Sequence, residues 1–159
     1  MAEYDVAQIC PNGHVANDMH IDFAEFNKDF CEKCGEKTIT QCPSCEKPIR
    51  GRLRQSMSLS KFEPAAFCRF CGKPFPWTER KMTAAFELAT ELGGLTNQSA
   101  EEFKESLDVV VRHTPRTQIG ASKLKNLLSK VGVATAQSIR ELIVDITSET
   151  AKKIIWPDK

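Results

Sequence analysis

Residues 10–14 read CPNGH, residues 31–35 CEKCG, residues 42–45 CPSC and residues 68–72 CRFCG. All seven cysteines of the chain fall in these four turns, as one C-x3-H and three C-x2-C pairs. A C-x2-C turn lets two thiolates reach one metal ion, and two such turns close the tetrahedron of a structural zinc site. Seven cysteines and His14 make eight ligands, enough for two closed sites with none left over. His14 sits one residue further along its turn than a second cysteine would. The longer reach of an imidazole makes that workable, and His20 is its rival as a ligand. Pro11 fixes φ in this turn, and Gly13 permits the positive φ that a metal-binding turn often needs.

Two pairings are open. Sequential pairing gives one site of Cys10, His14, Cys31 and Cys34 and another of Cys42, Cys45, Cys68 and Cys71. Interleaved pairing would join Cys10 and His14 with Cys42 and Cys45. The 16 residues after His14 and the 22 after Cys45 each suit one hairpin excursion, which favours sequential pairing. Two Zn2+ ions are the expected cofactors, with iron the alternative in the four-cysteine site.

Between the turns, Ile21, Phe23, Phe26 and Phe30 are expected to pack as a small core against the metal turns. The alternative is a stacking surface for bases, which their acidic neighbours argue against. Residues 48–54 alternate, which suits a short strand with Arg50, Arg52 and Arg54 on one face. Residues 55–64 read as a polar loop, and Pro74 and Pro76 punctuate the end of the metal region.

From residue 78 the apolar period changes to that of helices. Thr78 is a candidate N-cap for a first helix burying Met82, Ala85, Phe86, Ala89 and Leu92, stopped by Gly93 and Gly94. A capping-box signature at Ser99–Glu102 opens a second, with Phe103, Leu107, Val110 and Val111 on one face. A third carries Ala121, Leu124, Leu127, Leu128 and Val131. A fourth runs from Thr135 through Ile139, Leu142, Ile143, Ile146 and Ile154. The expected fold class is therefore small zinc-bound β, two zinc ribbons, followed by an all-α helical bundle. The ribbons occupy residues 1–77, divided as 1–41 and 42–77, and the four-helix domain occupies 78–159.

Composition narrows the function. The 159 residues carry a net charge of +1, which demands neither nucleic acid nor membrane. The first ten residues lack the cationic start and apolar run of a signal peptide, and no uncharged apolar run approaches the ~18 residues of a spanning helix. Cysteines paired for metal in such a chain point to the cytoplasm. Charge is nonetheless uneven. Residues 1–41 hold 3 Lys/Arg against 8 Asp/Glu, whereas residues 42–77 hold 7 against 2. No phosphate loop, H-E-x-x-H or G-x-S-x-G occurs, and His113 at a helix end reads as a C-terminal cation. No enzymatic activity is expected.

The pieces ICPNGH, FCEKCG, TITQCPSC, PIRG, FCRFCGKPFPWTE and TSETAKKIIWP together resemble a bacterial family of double zinc-ribbon proteins known only as a domain of unknown function. The resemblance covers nearly the whole chain and implies two zinc ribbons in an intracellular bacterial protein, with the eight ligands mapping one to one. It implies no activity. From the residues, the first reading is an interaction adaptor with a protein partner or a second copy, recognised by the ribbons and assembled through the helices. The second is nucleic-acid binding through Arg50, Arg52 and Arg54 of the basic ribbon. A four-thiolate zinc site carries −2 and lowers that ribbon's +5 to about +3. A membrane role for Lys152, Lys153 and Trp156 is the poorest reading, because Glu141, Asp145 and Glu149 line the same helix.

Overall fold

A computed structural model describes residues 3–157 as two compact units, Met1–Glu79 and Arg80–Lys159. In the first, β1 (Tyr4–Val6) pairs antiparallel with β4 (Arg50–Leu53), and β2 (Gln8–Ile9) pairs antiparallel with β3 (Val15–Asn17). A bridge joins Ile9 to Ile39. The amino-terminal strand thus pairs with a strand that follows the third metal turn. Residues 1–41 and 42–77 thus contribute strands to one sheet and side chains to one core. Ala7, Ile9, Cys42, Ile49, Cys68, Phe75 and Trp77 form that core. Phe75 and Trp77 stack at 4.5 Å.

Gly51, the glycine of PIRG, is where this sheet closes on the chain around Asp18. A Cβ there would fall 2.4 Å from the Asp18 carbonyl oxygen and 2.8 Å from the Val6 carbonyl carbon. Both are backbone atoms that cannot move aside, so no larger residue fits.

The first helix, α1 (Pro76–Glu87), opens two residues before the expected Thr78 cap. Proline at the first helical position lacks only an N–H that would have no partner there, and its fixed φ suits the turn. Thr78 is therefore free for another task, and its hydroxyl donates to the Ala66 carbonyl at 2.8 Å. Beside it, Trp77 Nε1 donates to the Ala65 carbonyl at 2.9 Å. Both bonds lie within the first unit, to which the first turn of α1 belongs.

A π-helical turn, Leu88–Leu92, ends this helix. The second unit continues with α2 (Asn97–Val111), α3 (Thr117–Leu128), α4 (Val133–Ile143) and α5 (Glu149–Ile155). Among the described residues the helices number five, not the expected four. Residues 144–148 break the last one, where Thr147 Oγ1 donates back to the Ile143 carbonyl at 2.7 Å. Ser148 then caps α5, its hydroxyl accepting from the Ala151 N–H at 3.4 Å while its own N–H donates to the Val110 carbonyl. Two hydroxyl residues in a row thus end one helix and start another, which apolar spacing does not reveal. The apolar faces otherwise fall as expected, with Phe103, Leu107, Val110, Leu124, Leu127, Ile139 and Ile143 buried. Met82, Phe86, Leu142 and Ile154 are only partly buried, and Leu92 is 71% exposed. Gly120 lets α3 approach Val109 of α2, where a Cβ would come within 2.5 Å of Cγ1. Among the described residues, no helix is long and apolar enough to cross a membrane.

Candidate metal centres and the surface around them

Three of the four turns are built alike. The N–H groups of Cys31, Cys42 and Cys68 donate to the carbonyls of Glu36, Lys47 and Lys73 at 2.8, 2.9 and 2.8 Å. The carbonyls of the same cysteines accept from Gly35, Glu46 and Gly72, each at 2.8 Å. This closure forces the fifth residue of each turn into left-handed backbone, with φ of +75° at Gly35, +60° at Glu46 and +74° at Gly72. Glycine meets that demand at no steric cost, and Glu46 meets it with strain. The Cys10–His14 turn closes differently. Cys10 N–H donates to the His14 carbonyl at 3.0 Å, and Gly13 turns the chain at φ +90°.

The fold brings Cys10, His14, Cys31 and Cys34 together, and separately Cys42, Cys45, Cys68 and Cys71, with the ligand atoms of each group within 4.8 Å of one another. The pairing is sequential. His20 stands outside the first group, held by its carbonyl, which accepts from Asn27 Nδ2 at 3.1 Å. Four sulfurs at ~2.3 Å from a tetrahedral ion lie ~3.8 Å apart, and a sulfur and an imidazole nitrogen ~3.6 Å apart. The Sγ···Sγ distances Cys10–Cys34, Cys45–Cys68 and Cys42–Cys71 are 3.6, 3.7 and 3.8 Å. His14 Nδ1 is 3.5 Å from both Cys10 Sγ and Cys31 Sγ. These separations are far too long for disulfides, at ~2.0 Å, and match the edges of two metal tetrahedra. Both groups are therefore suited to bind metal ions, the first through Nδ1 of His14.

The proton affinities carry the same message. A hydrogen bond from the Asn12 side chain and another from the Glu36 backbone hold the Cys34 thiol down at about 6. Burial and neighbouring sulfurs push Cys10 up to about 11 despite backbone donors at His14 and Asn12. In the second group, burial opposes ionisation of Cys68, yet the Cys71 and Phe70 N–H groups bring it down to about 7. The Lys47 N–H favours a Cys45 thiolate, but burial and three adjacent sulfurs together raise it to about 12. Hydrogen-bond donors thus favour ionisation of Cys34 and Cys68, while burial and neighbouring sulfurs oppose it at Cys10 and Cys45. A divalent cation removes that conflict.

Arg50 and Arg52 of β4 and Arg54 just after it have different surroundings. Arg50 lies over the Tyr4 ring at 4.8 Å. Arg52 pairs with Asp18 at 2.7 Å and donates to the carbonyls of Ser58 and Ser60 at 3.2 and 3.0 Å. Arg54 reaches Glu3 at 2.9 Å, Asp22 at 3.4 Å and Asp5 at 3.8 Å. Two of the three guanidinium groups are thus turned towards carboxylates of the acidic amino-terminal segment.

The loop between His14 and Cys31 departs from expectation. Ile21, Phe23, Phe26 and Phe30 do not form a core: they are 55, 45, 60 and 60% exposed. Phe23 and Phe26 stand 6.3 Å apart between ring centres. The core lies instead beside the second metal cluster, and this loop is held by polar groups that sequence reading did not single out. Buried Asp5 accepts from the N–H groups of Ile21 and Asp22, both at 2.9 Å. Buried Asn17 donates to the Phe23 carbonyl at 2.9 Å and to Asn27 Oδ1 at 2.7 Å. Buried Gln8 accepts from the Lys28 N–H at 2.9 Å. A signal was available, because each of the three phenylalanines directly adjoins, or lies one residue from, an acidic residue.

Paired metal-ligand knuckles on a small β scaffold, followed by a helical unit, define a double zinc-ribbon type of protein. The chain belongs to the family DUF2321, described as an uncharacterized protein conserved in bacteria, whose model matches residues 3–155. No match was found among curated proteins or among solved structures.

Proposed function

We propose that this chain is a non-enzymatic adaptor of the bacterial cytoplasm, in which two zinc ions rivet a recognition module and the helical unit serves assembly. The observation that carries this reading is the exposure of Ile21, Phe23, Phe26 and Phe30 on one loop. Phe23 and Phe26 stand together, 6.3 Å between ring centres, and clustered exposed apolar side chains mark interaction sites. Zinc would be held by Cys10, His14 Nδ1, Cys31 and Cys34, and by Cys42, Cys45, Cys68 and Cys71. It supplies folding free energy there, and with four protein ligands in each shell no vertex is reserved for water. The nucleic-acid reading has less support, since Arg52 and Arg54 already face carboxylates of their own chain.

The test is recovery of partners from a bacterial host by zinc-loaded chain after nuclease treatment. A stoichiometric protein that is retained, and lost with Phe23→Ser/Phe26→Ser, is the expected result. Recovery of nucleic acid alone, with affinity falling steeply in salt and abolished by replacing Arg50, Arg52 and Arg54, would reverse the choice.

A further inference from the structure

Three buried polar side chains, Asp5, Gln8 and Asn17, are 2, 6 and 8% exposed, and each makes a hydrogen bond to the 18–30 loop. Burying such groups is costly unless they are fully bonded, so their arrangement fixes the loop firmly. A rigid loop that nonetheless turns four large apolar side chains to solvent has already met the ordering cost that binding would otherwise impose. The exposed rings are thus held ready, not left over from a thin core.

The charge around them selects what can dock. Residues 21–33 carry Asp22, Glu25, Asp29 and Glu32 against Lys28 and Lys33, with Asp22 facing Arg54 at 3.4 Å. Lys28 is already paired with Glu32 at 2.6 Å. Glu25 and Asp29 adjoin Phe26 and Phe30 and face no cation in an ion pair among the described residues. A three-thiolate zinc site next to them adds a further net −1. Phosphate backbones and anionic lipid are repelled by such a face, and aromatic rings offer cation–π contacts to an incoming lysine or arginine.

Resting on the adaptor reading, we infer that the 18–30 loop is the recognition surface and that its occupant is a cationic amphipathic segment of another protein, with lysine or arginine set beside large apolar side chains. The apolar residues seat against Phe23, Phe26 and Phe30, and the cations meet Glu25 and Asp29. Because the loop is preset, no reorganisation accompanies binding.

The experiment titrates zinc-loaded full chain with a short helical peptide bearing leucines on one face and lysines on the other. Matched peptides carry glutamate for lysine, or serine for leucine. The leucine–lysine peptide binds, and the two controls do not. Phe23→Ser/Phe26→Ser and Glu25→Lys/Asp29→Lys each weaken binding by about tenfold or more, while Ile119→Ser in the helical unit changes nothing. Unaltered metal content and circular dichroism show that the variants fold. Equal binding of the glutamate peptide, or indifference to the phenylalanine substitutions, overturns the inference. A photo-crosslinking residue placed in cells at position 26 and at position 119 separates the two levels. Capture at position 26 of a sequenced lysine- or arginine-rich amphipathic segment sustains the inference. Capture there of a second copy or of nucleic acid overturns it. Protein capture at position 119 alone leaves the adaptor reading standing and removes this one, and no protein capture at either position removes both.

Discussion

Arg52 joins Asp18 across 34 residues of sequence, its Nε donating to Oδ2 at 2.9 Å while Nη2 lies 2.7 Å from the same oxygen. Nη1 donates to the Ser58 carbonyl and Nη2 to the Ser60 carbonyl. One side chain therefore ties β4 to the acidic loop on one side and to the serine-rich loop on the other.

Arg52→Ala should destabilise the zinc-loaded first unit by about 1–3 kcal/mol, because Asp18 and two carbonyls lose a partly buried partner. Arg52→Lys should recover less than half of this, since an ammonium cannot present the planar fork. Denaturant midpoints of the three proteins at matched zinc decide it. Equal midpoints for wild type and Arg52→Ala would mean that solvent replaces the pair without loss.

Removing metal should unfold the ribbons and spare the helices. The core of the first unit includes Cys42 and Cys68 themselves. Zinc binding in comparable small modules is worth ~10–16 kcal/mol, more than so thin a core provides. On strong chelation, circular dichroism should keep its helical minimum while the amide signals of residues 3–75 collapse to random-coil positions in NMR. Retention of dispersed ribbon signals would contradict the rivet role.

Asp5 supplies a pH dependence with a defined sign. Burial opposes its charge, but the N–H groups of Ile21, Asp22 and Val6, helped by Arg54, outweigh that and hold its carboxyl below the usual carboxylate range. A depressed folded value means stability that is fully present above the unfolded carboxylate value near ~4 and is lost as pH falls through the folded value. Asp5→Asn should therefore cost about 1.5–3 kcal/mol at neutral pH, because an amide turns a donor toward an N–H that needs an acceptor. The gap between variant and wild type should narrow only below pH ~4. A gap that grows on acidification would refute the assignment. Comparing the two proteins at each pH cancels metal loss common to both.

The three like turns predict opposite effects at one position. Glu46→Gly relieves left-handed strain at φ +60° and should stabilise by up to about 1 kcal/mol. Gly72→Ala, at φ +74° with open space around the would-be Cβ, should destabilise by about 1–2 kcal/mol through backbone strain alone. Thermal melts at saturating zinc read both. Destabilisation by Glu46→Gly would show that its side chain contributes more than the backbone strain costs.

The sequence by itself determined the metal chemistry and the class of fold. Ligand turns are local: Cys31 and Cys34, or Cys68 and Cys71, meet because three residues of chain bring them together, and helical faces repeat at short spacing. What Arg52 and Arg54 face was decided only by the tertiary structure, since their carboxylates lie 34 and up to 51 residues away. So was the exposure of Phe23, Phe26 and Phe30. Apolar residues are read as core until packing shows that the available core volume is already filled elsewhere, here by Ile9, Ile49, Phe75 and Trp77. Short-range spacing is written in the chain; which surfaces remain uncovered depends on every long-range contact at once.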